Sequence, residues 1–331
     1  MNNSFYIYPM GELKQKDNTI RFISSEDNTY KDIPIERVKE IYIMNEVNVT
    51  SKMLSLFSKY GVIVHFFNYY QNYIGSFYPR ENKLAGQILV KQALAYNDDS
   101  ERLKIATEFI RAGSFNIYRN LRYYNGRGKD VSEYMKNIET FRKRLDDVKT
   151  INELMGVEGN IRKEYYKAWN IIIDQEINFK KRVYYPPDNR INSLISYVNS
   201  VIYTKTITEI YKTQLNPTIS FLHQPGKSRF SLALDISEIF KPVIADRLIF
   251  SLLNKNQITK SSFREDLNGL KLTEKGSKTI MMELEKTLER TVHHKDLNKN
   301  VSYQYLIRLE AYKLIKHLIG EKEYKGFEMW W

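Results

Sequence analysis

The chain has 331 residues, of which 42% are hydrophobic, and 51 Lys and Arg outnumber 39 Asp and Glu to give a formal net charge of +12. This length and composition predict about two folded domains and exclude a disordered or low-complexity protein. There is no cysteine, so disulfides and thiolate metal sites are excluded. Because no long uncharged apolar run and no signal-peptide pattern are found, we expect no membrane span and a cytoplasmic location.

The first 80 residues read mainly as strands. Thr50 can cap one helix that ends before Gly61. Asp17-Asn18 and Asn28-Thr29 are typical of turns. Runs rich in β-branched and aromatic residues predict strands at Phe5–Tyr8, Thr19–Ile23, Val38–Ile43, Val62–Phe67 and Tyr73–Tyr78. Residues 1–80 are therefore predicted to form a β-rich domain.

After a boundary at Pro79–Asn82, the apolar spacing becomes helical. The predicted helices run from Lys83 to about Tyr96, from a cap at Ser100, from Asp130, from Thr150 to about Phe179, from about Asp188 to Gln214, from Asp235, and from caps at Thr273 and Ser302. Residues 218–234 are predicted to be a loop, and the aromatic tail at 324–331 is expected to pack on the body. The fold class is therefore α+β, with residues 81–331 forming a larger all-α domain.

The excess positive charge is concentrated in this second domain. Residues 1–80 contain nine Lys and Arg and eight Asp and Glu, so nearly all of the net charge of +12 lies after residue 80. A polyanion such as DNA would be attracted to the helical domain, where Arg119, Arg122, Lys241 and Arg247 are candidate phosphate contacts. A lysine-rich surface that only faces water is the alternative.

One imidazole and three carboxylates suggest a site. His223, Asp235 and Glu238 lie within sixteen residues, and Glu158 stands upstream in Gly156-Val157-Glu158-Gly159. Carboxylates with one imidazole suit Mg²⁺ or Mn²⁺ and leave coordination positions open for phosphate chemistry. The alternative is structural, because Asp235 followed three residues later by Glu238 also looks like a capping box at a helix start.

Several segments together resemble a known family, the CRISPR-associated adaptation integrases of the Cas-one family. The resemblance covers most of residues 75–320, and a β-rich start followed by a helical body agrees with that family's architecture. The segments that carry it are Leu215–His223, Ser231–Glu238, Pro242, Asp246–Leu248, Gly156–Gly159 and Asn192–Tyr197.

The resemblance implies roles for individual residues. Glu158, His223 and Glu238 occupy the positions of the family's metal ligands, with Glu238 where many members have Asp. Asp235 matches a second acidic position at the catalytic site, close to the metal. Tyr203 matches an aromatic position near the reacting DNA, and Lys241 and Arg162 match basic positions beside the site.

What the resemblance implies about function is a metal-dependent integrase that inserts protospacer DNA into a CRISPR repeat. The implied partners are double-stranded DNA, a second copy of the chain through the β-rich domain, and the Cas-two adaptation protein. Two rival functions stay open: a metal-dependent nuclease that does not join DNA, and a basic DNA-binding scaffold without catalysis.

Overall fold

Strands dominate the first of two units, Met1–Asn82 and Lys83–Trp331. The computed structural model describes residues 3–79, 85–184, 186–226, 230–266 and 269–331. The strands of the first unit are β1 (Asn3–Ile7), β2 (Gly11–Lys16), β3 (Thr19–Ser24), β4 (Tyr30–Pro34), β5 (Val38–Ile43), β6 (Val47–Val49), β7 (Ile63–Phe67) and β8 (Tyr73–Phe77). They form two four-stranded sheets, in the orders β1-β5-β7-β8 and β4-β3-β2-β6.

The five predicted strands are confirmed, whereas β2, β4 and β6 were not predicted. The three missed strands are short or polar: β2 reads GELKQK and β4 reads YKDIP. The turns at Asp17 and Asn28, both with positive φ, fold β2 and β4 back into antiparallel pairs with β3, and β6 pairs in parallel with β2. Pairing within the sheet thus outweighs weak local preference.

One helix, α1 (Ser51–Tyr60), packs into the core of the first unit. Thr50 caps it by accepting a hydrogen bond from the Met53 amide, and Gly61 ends it in the left-handed conformation with φ of 67°. Both features agree with the sequence prediction. Met53 and Phe57 are fully buried with Leu13 of β2, so the helix covers apolar surface that the sheets would otherwise expose.

The second unit is mainly helical, which confirms the α+β fold class. Its helices are α2 (Gly86–Asn97), α3 (Asp99–Asn125), α4 (Ser132–Lys143), α5 (Ile151–Ile172), α6 (Arg190–Tyr211), α7 (Ser231–Phe240), α8 (Arg247–Asn254), α9 (Glu274–Glu289) and α10 (Tyr303–Leu318). Two antiparallel pairs were not predicted and show that the unit is not all-α: β9 (Phe263–Asp266) with β10 (Gly269–Leu272), and β11 (Thr291–His294) with β12 (Lys299–Ser302).

Three predicted caps in this unit are confirmed, and the starts of α3 and α4 differ from the prediction. Helix α4 begins at Ser132 rather than Asp130 and has no side-chain cap. Thr150, Thr273 and Ser302 each accept a hydrogen bond from the third residue of the helix that follows. For α3 the cap is Asp98, whose carboxylate accepts from the Ser100 and Glu101 amides, and not Ser100. The predicted start of α2 at Lys83 falls outside the described residues.

Helix α5 ends at Ile172, seven residues earlier than predicted. Its own Asn170 causes the reversal, because the side-chain amide donates to the Phe179 carbonyl and accepts from the Phe179 amide. The Phe179 ring then packs against Trp169, at a centroid distance of 5.7 Å. This anchored, irregular segment carries Lys180, Lys181 and Arg182 along the side of α5.

Helix α7 begins at Ser231, so the loop predicted at residues 218–234 ends four residues earlier than predicted, and the predicted helix start at Asp235 is wrong. The first turn of α7 is held by tertiary partners rather than by a local cap. The Leu232 amide donates to the Pro217 carbonyl, and the Ser231 hydroxyl donates to the Thr218 carbonyl. Asp235 is therefore inside the helix and is not an N-cap.

The aromatic tail packs on the helical unit, as predicted. Tyr324, Phe327 and Met329 are buried, and Asn116 of α3 holds the tail by accepting from the Met329 amide and donating to the Phe327 carbonyl. In the described part of the chain, none of the helices combines the length and the apolar character needed to cross a membrane.

Candidate active site

Two predicted site residues, Glu158 and Glu238, meet at one guanidinium group. Glu158 lies on α5, one turn before Arg162, and its Oε1 accepts from Arg162 Nε at 2.9 Å. The Arg162 Nη2 donates to Oε2 of Glu238 on α7. Side chains 80 residues apart in the chain are thus joined by a single residue. The sequence analysis predicts that Glu158, His223 and Glu238 converge on one ion, whereas the bonds through Arg162 join the two glutamates and do not include His223.

Helix α3 packs against the backbone of α7 next to Glu238. A Cβ atom added at Gly113 would lie 3.1 Å from the Glu238 carbonyl oxygen, so the missing side chain lets α3 approach the α7 backbone closely. Asn116 of the same helix donates to the Ile239 carbonyl at 3.1 Å. These contacts fix α7 at the turn that presents Glu238.

Strong electrostatic effects act on Glu238. Burial alone would disfavour its charge, but Lys241 and Arg162 outweigh burial and lower the pKa of Glu238 to about 2. Lys241 donates to Oε1 while Arg162 donates to Oε2, so both carboxylate oxygens are engaged. Opposing causes act on Arg162: burial would lower its pKa, whereas Glu238, Tyr166 and Glu158 raise it well above the usual value. Glu238 and Arg162 are therefore both ionised throughout the neutral range.

His223 is oriented by Asp235. The Asp235 Oδ1 accepts from the His223 amide at 3.0 Å and lies 2.8 Å from the His223 ring Nδ1. Its Oδ2 accepts from the amides of Phe221 and Leu222 at 2.7 and 3.0 Å. One buried carboxylate of α7 thus fixes three consecutive peptide groups and the imidazole. Because Nδ1 is bound to Asp235, Nε2 is the ring nitrogen that can bind a metal ion or transfer a proton.

This arrangement corrects the structural interpretation of Asp235. The prediction of a capping box at residues 235–238 is wrong, because Asp235 lies within α7. Its carboxylate accepts hydrogen bonds from the preceding loop instead. Burial opposes the charged form of His223, but the hydrogen bond to Asp235 and the charges of Asp235 and Glu238 raise the pKa of His223 above its usual value.

A buried acid that the sequence analysis did not single out, Asp246, lies beside the same cluster. It ends a π-helical turn, Lys241–Asp246, that joins α7 to α8. Pro242 has no amide hydrogen for the α-helical ladder, and Asn120 of α3 donates to the Pro242 carbonyl at 2.8 Å. Burial raises the pKa of Asp246 to about 7, although Arg162 and the Tyr165 hydroxyl act to lower it.

The raised pKa of Asp246 predicts a pH-dependent stability. An unfolded aspartate titrates near pH ~3.9, so the folded state retains the proton at higher pH than the unfolded state does. Stability from this group is present below pH ~3.9 and is lost as the pH rises towards 7. We expect the unfolding free energy of the wild type to fall, relative to Asp246→Asn, between pH 5 and pH 8 in urea titrations. The exposed Asp147→Asn serves as control, and parallel curves for wild type and Asp246→Asn would contradict the assignment.

A cationic cavity of about 370 Å³ opens onto the two glutamates. Its lining residues come from α5, α6, α7, the π-helical turn and the segment after α5. The basic members are Arg162, Lys163, Lys167, Lys180, Lys181, Arg182 and Lys241, and the acidic members are Glu158 and Glu238. Seven cations around two carboxylates favour an anionic ligand that carries several charges, such as a nucleic-acid backbone.

The structure separates the predicted DNA contacts into two groups. Arg162 and Lys241 line the cavity. Tyr203 uses its hydroxyl to accept from the Phe230 amide at 2.9 Å, just before α7 begins. Arg247 donates to the Met329 sulfur on the tail, at 3.0 Å, and is not among the cavity's lining residues. Its contact with DNA therefore stays a prediction, outside this cavity.

Lys180, Lys181 and Arg182 were missed by the sequence analysis. Their run of positive charge is visible in the chain, directly after the helix that was predicted to end at about Phe179, but no role was assigned to it. The reversal at Asn170 places these residues on the cavity wall. The signal in the sequence was Asn170, because an asparagine side chain can end a helix by hydrogen bonding to the backbone that follows it.

The donor set suits a hard divalent cation. Two carboxylates and an imidazole held by a second carboxylate are the ligand types that Mg²⁺ and Mn²⁺ accept, and orientation of the histidine by Asp235 is typical of metal sites. Among the described residues, however, no three acidic or histidine side chains are already gathered as one ligand group. Arg162 and Lys241 instead hold the oxygens of Glu158 and Glu238. The residues fit the ion chemically, and ligation requires these ion pairs to rearrange.

Comparison with known proteins gives consistent matches. The profile of the family described as CRISPR associated protein Cas1 matches residues 5–286. A CRISPR-associated endonuclease Cas1 from Fusobacterium nucleatum is 61% identical over 331 residues, covering 100% of this chain and 98% of the relative.

Two solved structures share the fold. TM1797, a Cas1 protein from Thermotoga maritima, has a TM-score of 0.87 and 36% identity, covering 98% of this chain and 100% of the solved one. A casposase bound to integration product has a TM-score of 0.88, covers 99% and 95%, and at 22% identity shows the fold alone. With the family profile matched over most of its length, this chain belongs to the CRISPR-associated Cas1 family.

Proposed function

We propose that this protein is a metal-dependent DNA integrase with endonuclease-type chemistry, which inserts protospacer DNA into a CRISPR repeat. The observation that carries the proposal is the pair Glu158 and Glu238 at the wall of a cavity lined by seven basic side chains. Basic groups attract and hold DNA phosphates, while acidic groups supply ligands for a cation at the reacting phosphodiester. Membership of the Cas1 family supports this combination.

Glu158, Glu238 and His223 would hold the ion, Mg²⁺ or Mn²⁺. When bound, the ion would neutralise charge on the phosphate and on the leaving oxygen. Asp235 positions His223 through Nδ1 and the 221–223 backbone, so that Nε2 faces away from Asp235. The residues leave two roles open for that nitrogen, metal ligation and proton transfer.

The proposed reaction is a direct transesterification. A protospacer 3′-oxygen forms a bond to phosphorus in the repeat, and the bond from phosphorus to the displaced 3′-oxygen breaks. The proton lost by the attacking hydroxyl is balanced by one gained at the leaving oxygen. The cavity lysines and arginines would hold flanking phosphates without reading base sequence, and the number of phosphodiester bonds stays constant.

The proposed partners are double-stranded DNA, a second copy of the chain and the Cas-two adaptation protein. For DNA, the support is the cationic cavity and the casposase of similar fold, which was solved with an integration product. For the dimer and the Cas-two protein, the support is the family resemblance. The near balance of nine basic and eight acidic residues in 1–80 suits a protein surface in the proposed dimerisation domain.

Product analysis tests the function. The purified protein is incubated with a labelled duplex that has free 3′-hydroxyls, a supercoiled plasmid carrying a CRISPR repeat, and Mn²⁺ or Mg²⁺. We expect label joined covalently to the plasmid, and no joining with 3′-dideoxy ends. Cut plasmid without joined label would identify a nuclease instead, and DNA binding without metal-dependent products would identify a non-catalytic scaffold.

A further inference from the structure

Three of the four carboxylate oxygens of Glu158 and Glu238 are bound to basic side chains. Glu238 Oε1 is paired with Lys241, Glu238 Oε2 with Arg162, and Glu158 Oε1 with Arg162. The exposed fractions of these four side chains lie between 11% and 23%. The pairs are therefore only partly screened by water, and opening them has a real energetic cost.

We propose that Arg162 and Lys241 are exchangeable counter-ions, which occupy the two glutamates until a divalent cation binds and then turn to phosphates of the DNA. The proposal rests on the proposed function, because it assumes that Glu158 and Glu238 ligate the ion. Both basic side chains line the same cavity as five further cations. DNA phosphates that enter this cavity would therefore be within reach of Arg162 and Lys241.

Charge balance supports the exchange. Two glutamates with one arginine and one lysine make a neutral group, and a divalent cation would leave the group with two excess positive charges. Like charges that are partly shielded from water repel strongly. Two phosphate charges in the cavity restore neutrality, and the released guanidinium and ammonium are the groups best placed to bind them.

The consequence is coupling between metal and DNA. If DNA draws Arg162 and Lys241 away from the glutamates, it lowers the cost of binding the ion. By linkage, the ion must then strengthen DNA binding by the same factor. The divalent ion alone, or DNA alone, must break the ion pairs between the glutamates and Arg162 or Lys241 in order to bind. Hydrolysis by water before both ligands are bound is therefore disfavoured.

The test measures Mn²⁺ binding by the full-length protein, from the loss of the free-ion electron paramagnetic resonance signal, without any turnover. The variants are Arg162→Gln, Lys241→Met and the double variant, measured alone and with a duplex whose 3′ ends are dideoxy-terminated. We expect each neutral variant to bind Mn²⁺ about tenfold more tightly than the wild type without DNA, roughly 1.4 kcal/mol. We expect DNA to tighten Mn²⁺ binding about tenfold in the wild type and less than about twofold in the double variant.

Matched controls separate direct exchange from a general field effect. Lys163→Gln removes an exposed cation of the same cavity wall, next to Arg162 in the chain, and should change the Mn²⁺ affinity less than about threefold. Arg162→Lys keeps the charge and should retain most of the wild-type competition. Lys241→Met tests the proposal by itself if Arg162→Gln does not fold, as judged by circular dichroism.

The possible failures are distinguishable. If Glu158→Gln and Glu238→Gln both bind Mn²⁺ as the wild type does, the glutamates are not ligands and the proposed function loses its metal site. If Mn²⁺ binding depends on Glu158 but neither Arg162→Gln nor Lys241→Met tightens it, the proposed function stands and the counter-ion exchange is wrong. Equal tightening by Lys163→Gln would also overturn the exchange, because only the overall field would then matter.

Discussion

Glu158→Gln and Glu238→Gln are each expected to lose strand transfer by about 10³-fold or more, and His223→Ala is expected to lose it to a similar extent. The amide is isosteric with the carboxylate but carries no charge, so it removes ligand strength while keeping side-chain volume. DNA binding should persist, because the basic residues of the cavity remain. Strand transfer is measured as joined product from a labelled duplex, and DNA binding is measured by fluorescence anisotropy with the same duplex.

Glu164→Gln is the matched control for this prediction. Glu164 lies on α5 with Glu158, but it pairs with Lys167 at 2.5 Å and with Asn137 at 3.0 Å. It is not among the residues that line the cavity, and we expect its substitution to leave strand transfer within about threefold of the wild type. Wild-type joining by Glu158→Gln, Glu238→Gln or His223→Ala in Mn²⁺ would remove that residue from the proposed site.

Asp235→Ala is expected to reduce both stability and activity strongly. The side chain accepts hydrogen bonds from the Phe221, Leu222 and His223 amides and contacts the His223 ring. Removing it leaves buried donors without partners, which typically costs about 1–3 kcal/mol each before the loop relaxes. We expect a loss of about 3 kcal/mol in unfolding free energy and a fall of about 100-fold in strand transfer.

Asp235→Asn separates the two effects. The amide oxygen can still accept from part of the loop backbone, so most of the stability should return in urea titrations. The charge that raises the pKa of His223 is lost, and strand transfer should stay at least about tenfold below the wild type. Equal stability of the alanine variant and the wild type would show that Asp235 does not hold the loop.

The ligand types of the site could be predicted from the chain, whereas the partners that hold them could not. Glu158 and Glu238 stand out as acids in motif-like surroundings, and the structure brings them to one guanidinium. Arg162 was predicted only as a basic residue beside the site. At four residues after Glu158 it has the spacing of an ordinary helix-surface ion pair, and its second bond depends on a residue 76 positions away.

The start of α7 was mispredicted for a similar reason. Local signals place a helix start at Asp235, because an aspartate followed by a glutamate three residues later resembles a cap. The real first turn is stabilised by the Pro217 and Thr218 carbonyls, which no short window of the sequence contains. Strand and helix periodicity thus predicted the fold class, while tertiary hydrogen bonds decided where the helix that presents Glu238 begins.

The π-helical turn at Lys241–Asp246 has a consequence for how this stretch can vary among relatives. A π-type ring encloses one more residue than an α-type ring. Loss of a single residue between Lys241 and Asp246 would therefore let an ordinary α-helical turn close between the same flanking residues, and α7 and α8 would keep about the same relative orientation. A change of one residue in length should be tolerated here more readily than inside the regular part of either helix.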